Sequence, residues 1–228
     1  MRCLLVLGTS VVCVGLAAGC APKGVLVELP DPVFRTVRRA PREPAPAPVS
    51  VARPKPAAPT FDAEPGWMRP GGISSRWTCV VIHHSAGEVG GAEAFDRHHR
   101  NVRKWDELGY HFVIGNGSNT ADGQIEVGSR WTKQKHGAHC KTPDNYYNDH
   151  GIGICLVGNF NHHPPTPAQM ASLARLTAFL MRECGLGISR IRTHGGITHR
   201  TECPGSQFSL GELKARLDSN LTAVNHAP

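Results

Sequence analysis

The chain has 228 residues, 25 Lys plus Arg against 18 Asp plus Glu, and a formal charge of +7. With 40% hydrophobic and 19% charged residues, it carries enough apolar content for a folded core and too little for several membrane spans, which excludes both a wholly disordered chain and a multi-span membrane protein. The basic excess alone would suit nucleic acid, but neither an aromatic stacking pattern nor a basic helix accompanies it, so no nucleic acid is expected as a partner.

The first segment reads as an export leader. Met1-Arg2 gives a short positive start, residues 3–16 are mostly apolar, and Ala17-Ala18-Gly19-Cys20 ends in small residues closing on a Cys. This pattern predicts a signal peptide over residues 1–19 rather than a fold element. Its ending resembles a bacterial lipobox, which implies lipidation at Cys20 and an exported lipoprotein held on the periplasmic side of a membrane without spanning it. Ala21, in place of an Asp at that position, points by the same resemblance to the outer membrane. Residues 20–66 form a Pro/Ala-rich tether, since 11 of the 18 prolines fall between Ala21 and Pro65. At ~3.1 Å per residue in polyproline II, such a tether reaches on the order of 100 Å.

Residues 67–228 carry the folded domain, and all 13 His occur from His83 onward. An apolar β-branched run at 78–82 predicts a buried strand that ends in His83-His84. A helix follows at about 92–102. Residues 111–114 and 124–127 flank a loop with Asn116-Gly117 and Asp122-Gly123, which reads as a hairpin with a long tip. Residues 152–158 make a second buried strand. Thr166-Pro167 opens a helix whose inward stripe is Met170, Leu173, Thr177, Leu180, Met181 and Cys184, stopped by Gly185. An edge strand at 188–193 and a closing helix at 209–217 complete a single α/β domain with a central mixed sheet flanked by helices.

Two features carry chemistry: the His pair that ends the first strand, and the loop from His194 to Cys203-Pro204-Gly205. A hydrolytic zinc site needs about three neutral imidazoles, thiolates or carboxylates and one position for water. His83, His194 and Cys203 supply such a set, although their spacing alone fits scattered surface histidines equally well. Export leaves five cysteines beyond Cys20. That odd number requires a free thiol or a ligand, and the pairing of Cys79, Cys140, Cys155 and Cys184 stays open.

Five motifs then occur in order: Val81-Ile82-His83-His84-Ser85-Ala86, Gly109-Tyr110-His111-Phe112, Gly137-Ala138-His139, the run from Gly151 to Phe160, and Thr201-Glu202-Cys203-Pro204-Gly205. Together they resemble the type 2 N-acetylmuramoyl-L-alanine amidases, a family that includes phage amidase-type lysozymes and animal peptidoglycan recognition proteins. The resemblance spans about residues 76 to 217 and implies zinc bound by His83, His194 and Cys203. His199, four residues before Cys203, competes with His194 as second ligand. The resemblance also implies catalytic roles for Tyr110 and Thr201 and places His84, His139 and Asn159 against substrate, with Asn148 a further groove candidate. Cys155 stands where another subfamily has a Glu thought to act as base. The pairs His98-His99 and His162-His163 fall outside the motifs and read as surface residues.

By resemblance, the reaction is hydrolysis of the amide between the lactyl group of N-acetylmuramic acid and L-Ala of the peptidoglycan stem. The expected partners are peptidoglycan or muropeptides and, through the anchor, a membrane; the chain is expected to be a monomer. The alternative is a peptidoglycan-binding receptor that does not cut, and Cys203 favours the enzyme, because family members that lose that Cys bind without cleaving.

Overall fold

The computed structural model describes residues 63–64 and 66–225, with side chains described to Asp218. The leader expected over residues 1–19, the lipidated Cys20 and nearly all of the tether expected to residue 66 lie outside the described residues. No helix among the described residues is long and apolar enough to cross a membrane.

In chain order the elements are β1 (Cys79–His84), α1 (Ala92–Asn101), β2 (Phe112–Ile114), β3 (Ile125–Val127), α2 (Ser129–Thr132), α3 (Tyr146–His150), β4 (Gly151–Leu156), α4 (Pro167–Cys184), a 3-10 turn (Ile188–Arg190), β5 (Ile191–Thr193), α5 (His194–Thr198) and α6 (Leu210–Asn225). The strands form one mixed sheet in the order β3-β2-β4-β1-β5. β1 and β4 are buried along their whole length, as expected of central parallel strands covered on both faces. β4 also pairs in parallel with β2, and β5 with β1, while β3 returns antiparallel to β2 as the hairpin expected from the sequence. Because β1, β2, β4 and β5 run the same way, their carboxyl ends meet at one rim of the sheet.

Alternation along β1 separates two faces. Val80 and Ile82 enter the main core with Ile152 and Ile154 of β4, covered by Leu173, Leu176, Phe179 and Leu180 of α4 and by Leu213 and Leu217 of α6. Cys79 and Val81 face the other way, against Cys140. His83 continues that second face, and His84 the first. Each fully buried Leu, Ile or Phe contributes about 1.5–3 kcal/mol, so the α4 side anchors the sheet. Trp67, at the expected start of the domain, is buried with its ring 5.1 Å from that of Phe179.

Helix α4 forms where its sequence signals stand. Thr166 Oγ1 accepts from the Gln169 backbone N–H at 3.0 Å, Gln169 Oε1 accepts from that of Thr166 at 3.1 Å, and Gly185 ends the helix at φ 65°. Three expected elements differ most, and one of them is the closing helix expected at 209–217, which runs from Leu210 to Asn225. The first strand begins at Cys79 and continues to His84, so both histidines lie on the strand itself. Residues 188–193 divide into the 3-10 turn and the three-residue β5, which is an edge strand as expected. Helices α2, α3 and α5 are too short to carry a periodic stripe. Only α5 has a side-chain cap, from Thr193, and α2 and α3 are held by packing rather than by caps or propensity.

Candidate metal centre

The ligand atoms of His83, His194 and Cys203 all lie within 4.8 Å of one another. His83 Nδ1 is 3.7 Å from Cys203 Sγ, and the two imidazole rings are 4.8 Å apart between centroids. Sheet register produces the first contact: Ile82 pairs with Thr193, so the next residues on the two parallel strands, His83 and His194, leave the rim together. Thr193 then caps α5 by accepting from the Gly196 N–H at 3.1 Å, which turns the chain sharply at His194.

The loop to Cys203 folds back onto that turn. Gly195 N–H donates to Cys203 O at 2.7 Å. A Cβ at Gly195 would lie 2.5 Å from Thr201 O and 2.9 Å from Cys203 O, so only glycine lets the two backbones meet. The His84 N–H donates to Cys203 Sγ at 3.4 Å, fixing the sulfur beside His83. His199 sits exposed at the C-cap of α5, outside the group formed by His83, His194 and Cys203.

The donor set suits a zinc ion. Burial first, and then the neighbouring imidazoles, hold His83 well below the usual histidine range, while burial alone lowers His194. Both rings therefore keep free lone pairs at neutral pH. Burial pushes the Cys203 thiol up to about 11, against the pull of the His84 N–H, so the sulfur becomes a thiolate only when a cation joins it. At Zn–N of ~2.0–2.1 Å and Zn–S of ~2.3 Å, tetrahedral donors stand roughly 3.3–3.6 Å apart. The 3.7 Å between His83 Nδ1 and Cys203 Sγ already approaches that value.

The centre opens on a cleft of about 710 Å³. Tyr110 lines it with its ring 5.3 Å from that of His83, and burial, reinforced by Cys155 and Cys203, raises its phenol well above the usual value, so it stays protonated. Thr201 also lines the cleft; its Oγ1 accepts from the Cys203 N–H at 3.2 Å, which leaves its own O–H to donate. Cys155 lies buried at the level of His83 on the neighbouring strand, and no carboxylate lines the cleft among the described residues.

The remaining expected residues divide. His84 borders the cleft but is buried, its Nδ1 accepting from the Phe160 N–H at 3.2 Å. His139 forms part of the floor, buried against His83. Asn159 is absent from the cleft lining, and its Oδ1 accepts from the Asn161 N–H at 3.2 Å. Asn148 is buried and accepts from the N–H groups of His139 and Cys140, both at 2.8 Å, so it holds the floor rather than facing substrate. The five cysteines of the described residues are free thiols, without bridges.

His99 is a correction. It is buried, not a surface residue: Nδ1 accepts from the Gly109 N–H at 3.0 Å and the ring lies 4.6 Å from Trp105 at the cleft wall. Ala92, Phe95 and His99 share one stripe of α1, the helical signal that marks it as inward. His98, His162 and His163 are exposed, as expected. A smaller lobe of about 320 Å³ adjoins the cleft, shares Trp105, His139, His194 and Thr201 with it, and is also lined by Lys141 and Arg200.

The family model described as N-acetylmuramoyl-L-alanine amidase matches residues 74–206. An N-acetylmuramoyl-L-alanine amidase of Mus musculus is 30% identical over 133 residues, 56% of this chain and only 22% of that protein's length. The peptidoglycan-recognition protein SC2 of Drosophila simulans is 30% identical over 148 residues, 60% of this chain and 72% of its own. Among solved structures, the N-acetylmuramoyl-L-alanine amidase LysC from Clostridium intestinale is 31% identical with a TM-score of 0.54, covering 67% of this chain and 92% of that one. Bumblebee PGRP-SA, at 23% identity and a TM-score of 0.51 over 62% of this chain and 83% of its own, shares the fold. On a family match across more than half of its length and a shared fold, this chain belongs to the N-acetylmuramoyl-L-alanine amidase family.

Proposed function

We propose that the chain is a zinc-dependent hydrolase that cleaves the amide between the lactyl group of N-acetylmuramic acid and L-Ala of the peptidoglycan stem. The observation that carries this reading is the group of His83, His194 and Cys203 donors at the floor of an open cleft. When bound there, zinc supplies Lewis acidity toward the scissile carbonyl and activates water as the nucleophile.

The chain's own residues do the rest. Cys203 and the two imidazoles fix the ion at the rim. The protonated Tyr110 phenol donates a hydrogen bond toward the charge that develops on the carbonyl oxygen, and the Thr201 hydroxyl adds a second, neutral donor. Trp105 borders both lobes of the cleft and offers an aromatic face to a sugar ring, while Lys141 and Arg200 in the smaller lobe suit the carboxylates of a stem peptide.

A second reading, peptidoglycan binding without cleavage, draws support from the relatives named as recognition proteins. The complete donor set favours hydrolysis. The deciding experiment incubates the purified full chain with sacculi or muropeptides and follows release of free L-Ala amino termini. Turnover that a chelator abolishes and zinc restores supports the enzyme; binding without turnover supports the receptor.

We further propose that Cys20 is lipidated and that the domain works as a tethered monomer on the periplasmic side of an outer membrane, a reading supported by the Ala17-Ala18-Gly19-Cys20 ending and the Pro-rich tether. Incorporation of labelled palmitate by the full chain and its loss in Cys20→Ser test the anchor.

A further inference from the structure

His139 carries more geometry than a cleft wall needs. Its Nδ1 lies 3.1 Å from His83 Nε2, and its Nε2 lies 3.1 Å from Gly151 O. The ring occupies a slot that two glycines leave open. A Cβ at Gly153 would fall 2.3 Å from His139 Cδ2, and one at Gly137 would fall 2.4 Å from the same atom. The backbone beneath is clipped by Asn148, whose Oδ1 accepts from the His139 N–H and whose O accepts from that of Gly137, each at 2.8 Å.

The direction of each hydrogen bond follows from one carbonyl. Gly151 O can only accept, so His139 carries its hydrogen on Nε2. Its Nδ1 is then an acceptor, which requires the hydrogen of His83 to sit on Nε2. That leaves the lone pair of His83 on Nδ1, the atom 3.7 Å from Cys203 Sγ. A backbone carbonyl of β4 thereby sets the tautomer of a residue on β1 through one intervening imidazole.

We infer that His139 is a positioning residue for the metal centre, a relay from Gly151 O that locks His83 in the Nε2–H tautomer and aims its Nδ1 at the ion shared with His194 and Cys203. This role rests on the zinc reading given above and differs from the substrate contact expected for His139 from the sequence. Partners of this kind orient a ligand ring and raise its basicity, and their loss typically costs about 10–100-fold in metal affinity.

The test compares the full chain with His139→Gln and His139→Leu. Gln keeps an acceptor for His83 and a donor for Gly151, whereas Leu keeps the volume and neither bond. Zinc affinity is read by competition with a chromophoric chelator, and the tautomers of the metal-free protein by long-range nitrogen–proton correlation spectroscopy. The relay predicts Nε2–H on both His83 and His139, affinity in the Gln variant within about threefold of wild type, and a loss of about 10–100-fold in the Leu variant. An Nδ1–H tautomer on His83, Leu binding as wild type does, or Gln losing as much as Leu overturns it. A wild-type chain that takes up no zinc overturns the metal reading itself, and the relay with it, which separates the two failures.

Discussion

Ile82 and Thr193 are register partners on parallel strands, and the residues that follow them, His83 and His194, bring their rings to 4.8 Å. Residues 111 positions apart in sequence thus become neighbours through backbone pairing alone. The third donor arrives by a different route, the fold-back of the loop onto Gly195.

If the three donors share one ion, removing the sulfur must cost more than removing an outer partner. Cys203→Ser is expected to lower zinc affinity by more than about 100-fold, beyond the range typical of outer-partner loss. Chelator competition measures this. Affinity equal to wild type would remove Cys203 from the ligand set.

Gly195→Ala tests the fold-back. Its Cβ would meet Thr201 O at 2.5 Å, a backbone atom that cannot swing aside as a side chain does. Overpacking of this kind costs about 1–3 kcal/mol, so both the unfolding midpoint and zinc affinity should fall together. A variant with unchanged midpoint and unchanged affinity would show that the close approach does not hold the loop.

Tyr110→Phe removes a protonated donor beside His83 and is expected to lower kcat on a muropeptide by about 10²-fold, with KM little changed. Thr201 is exposed, and a neutral hydrogen bond in competition with water is worth about 0.5–1.5 kcal/mol. Thr201→Ala should therefore cost no more than about tenfold. A larger loss at Thr201 than at Tyr110 would reverse the two roles.

Acid sensitivity is expected from the loop that carries Trp105. Burial acts to raise the Glu107 carboxyl, but hydrogen bonds from Lys133, Ser129 and Lys135 override it and lower the group from 4.5 to about 2. A lowered carboxylate adds stability above its unfolded value that is lost as pH falls toward the folded one, here between 4.5 and about 2. Urea midpoints should drop across that window in the wild type and less steeply in Glu107→Gln. Equal slopes would exclude Glu107 as the source.

His83, His194 and Cys203 were legible as a donor set through the five ordered motifs and the family they resemble, since their spacing alone fits scattered surface histidines equally well. The sequence placed α4 well, since Thr166, Pro167 and Gly185 mark both ends chemically. Other placements were harder to read. His139 was expected in the groove and does line the cleft, but nothing local reveals that Gly153 on β4 clears space for its ring beside His83. Asn148 and Asn159 looked alike as groove candidates, yet both are spent on backbone N–H groups. His99 was legible in principle, through its stripe with Ala92 and Phe95, but its neighbour His98 suggested an exposed pair.

The most direct test of the account is an anomalous difference map at the zinc edge from crystals of the full chain grown with zinc. The account predicts one strong peak within bonding distance of His83 Nδ1, a His194 ring nitrogen and Cys203 Sγ. A map with no peak among those three atoms, or with its zinc held elsewhere, would contradict it.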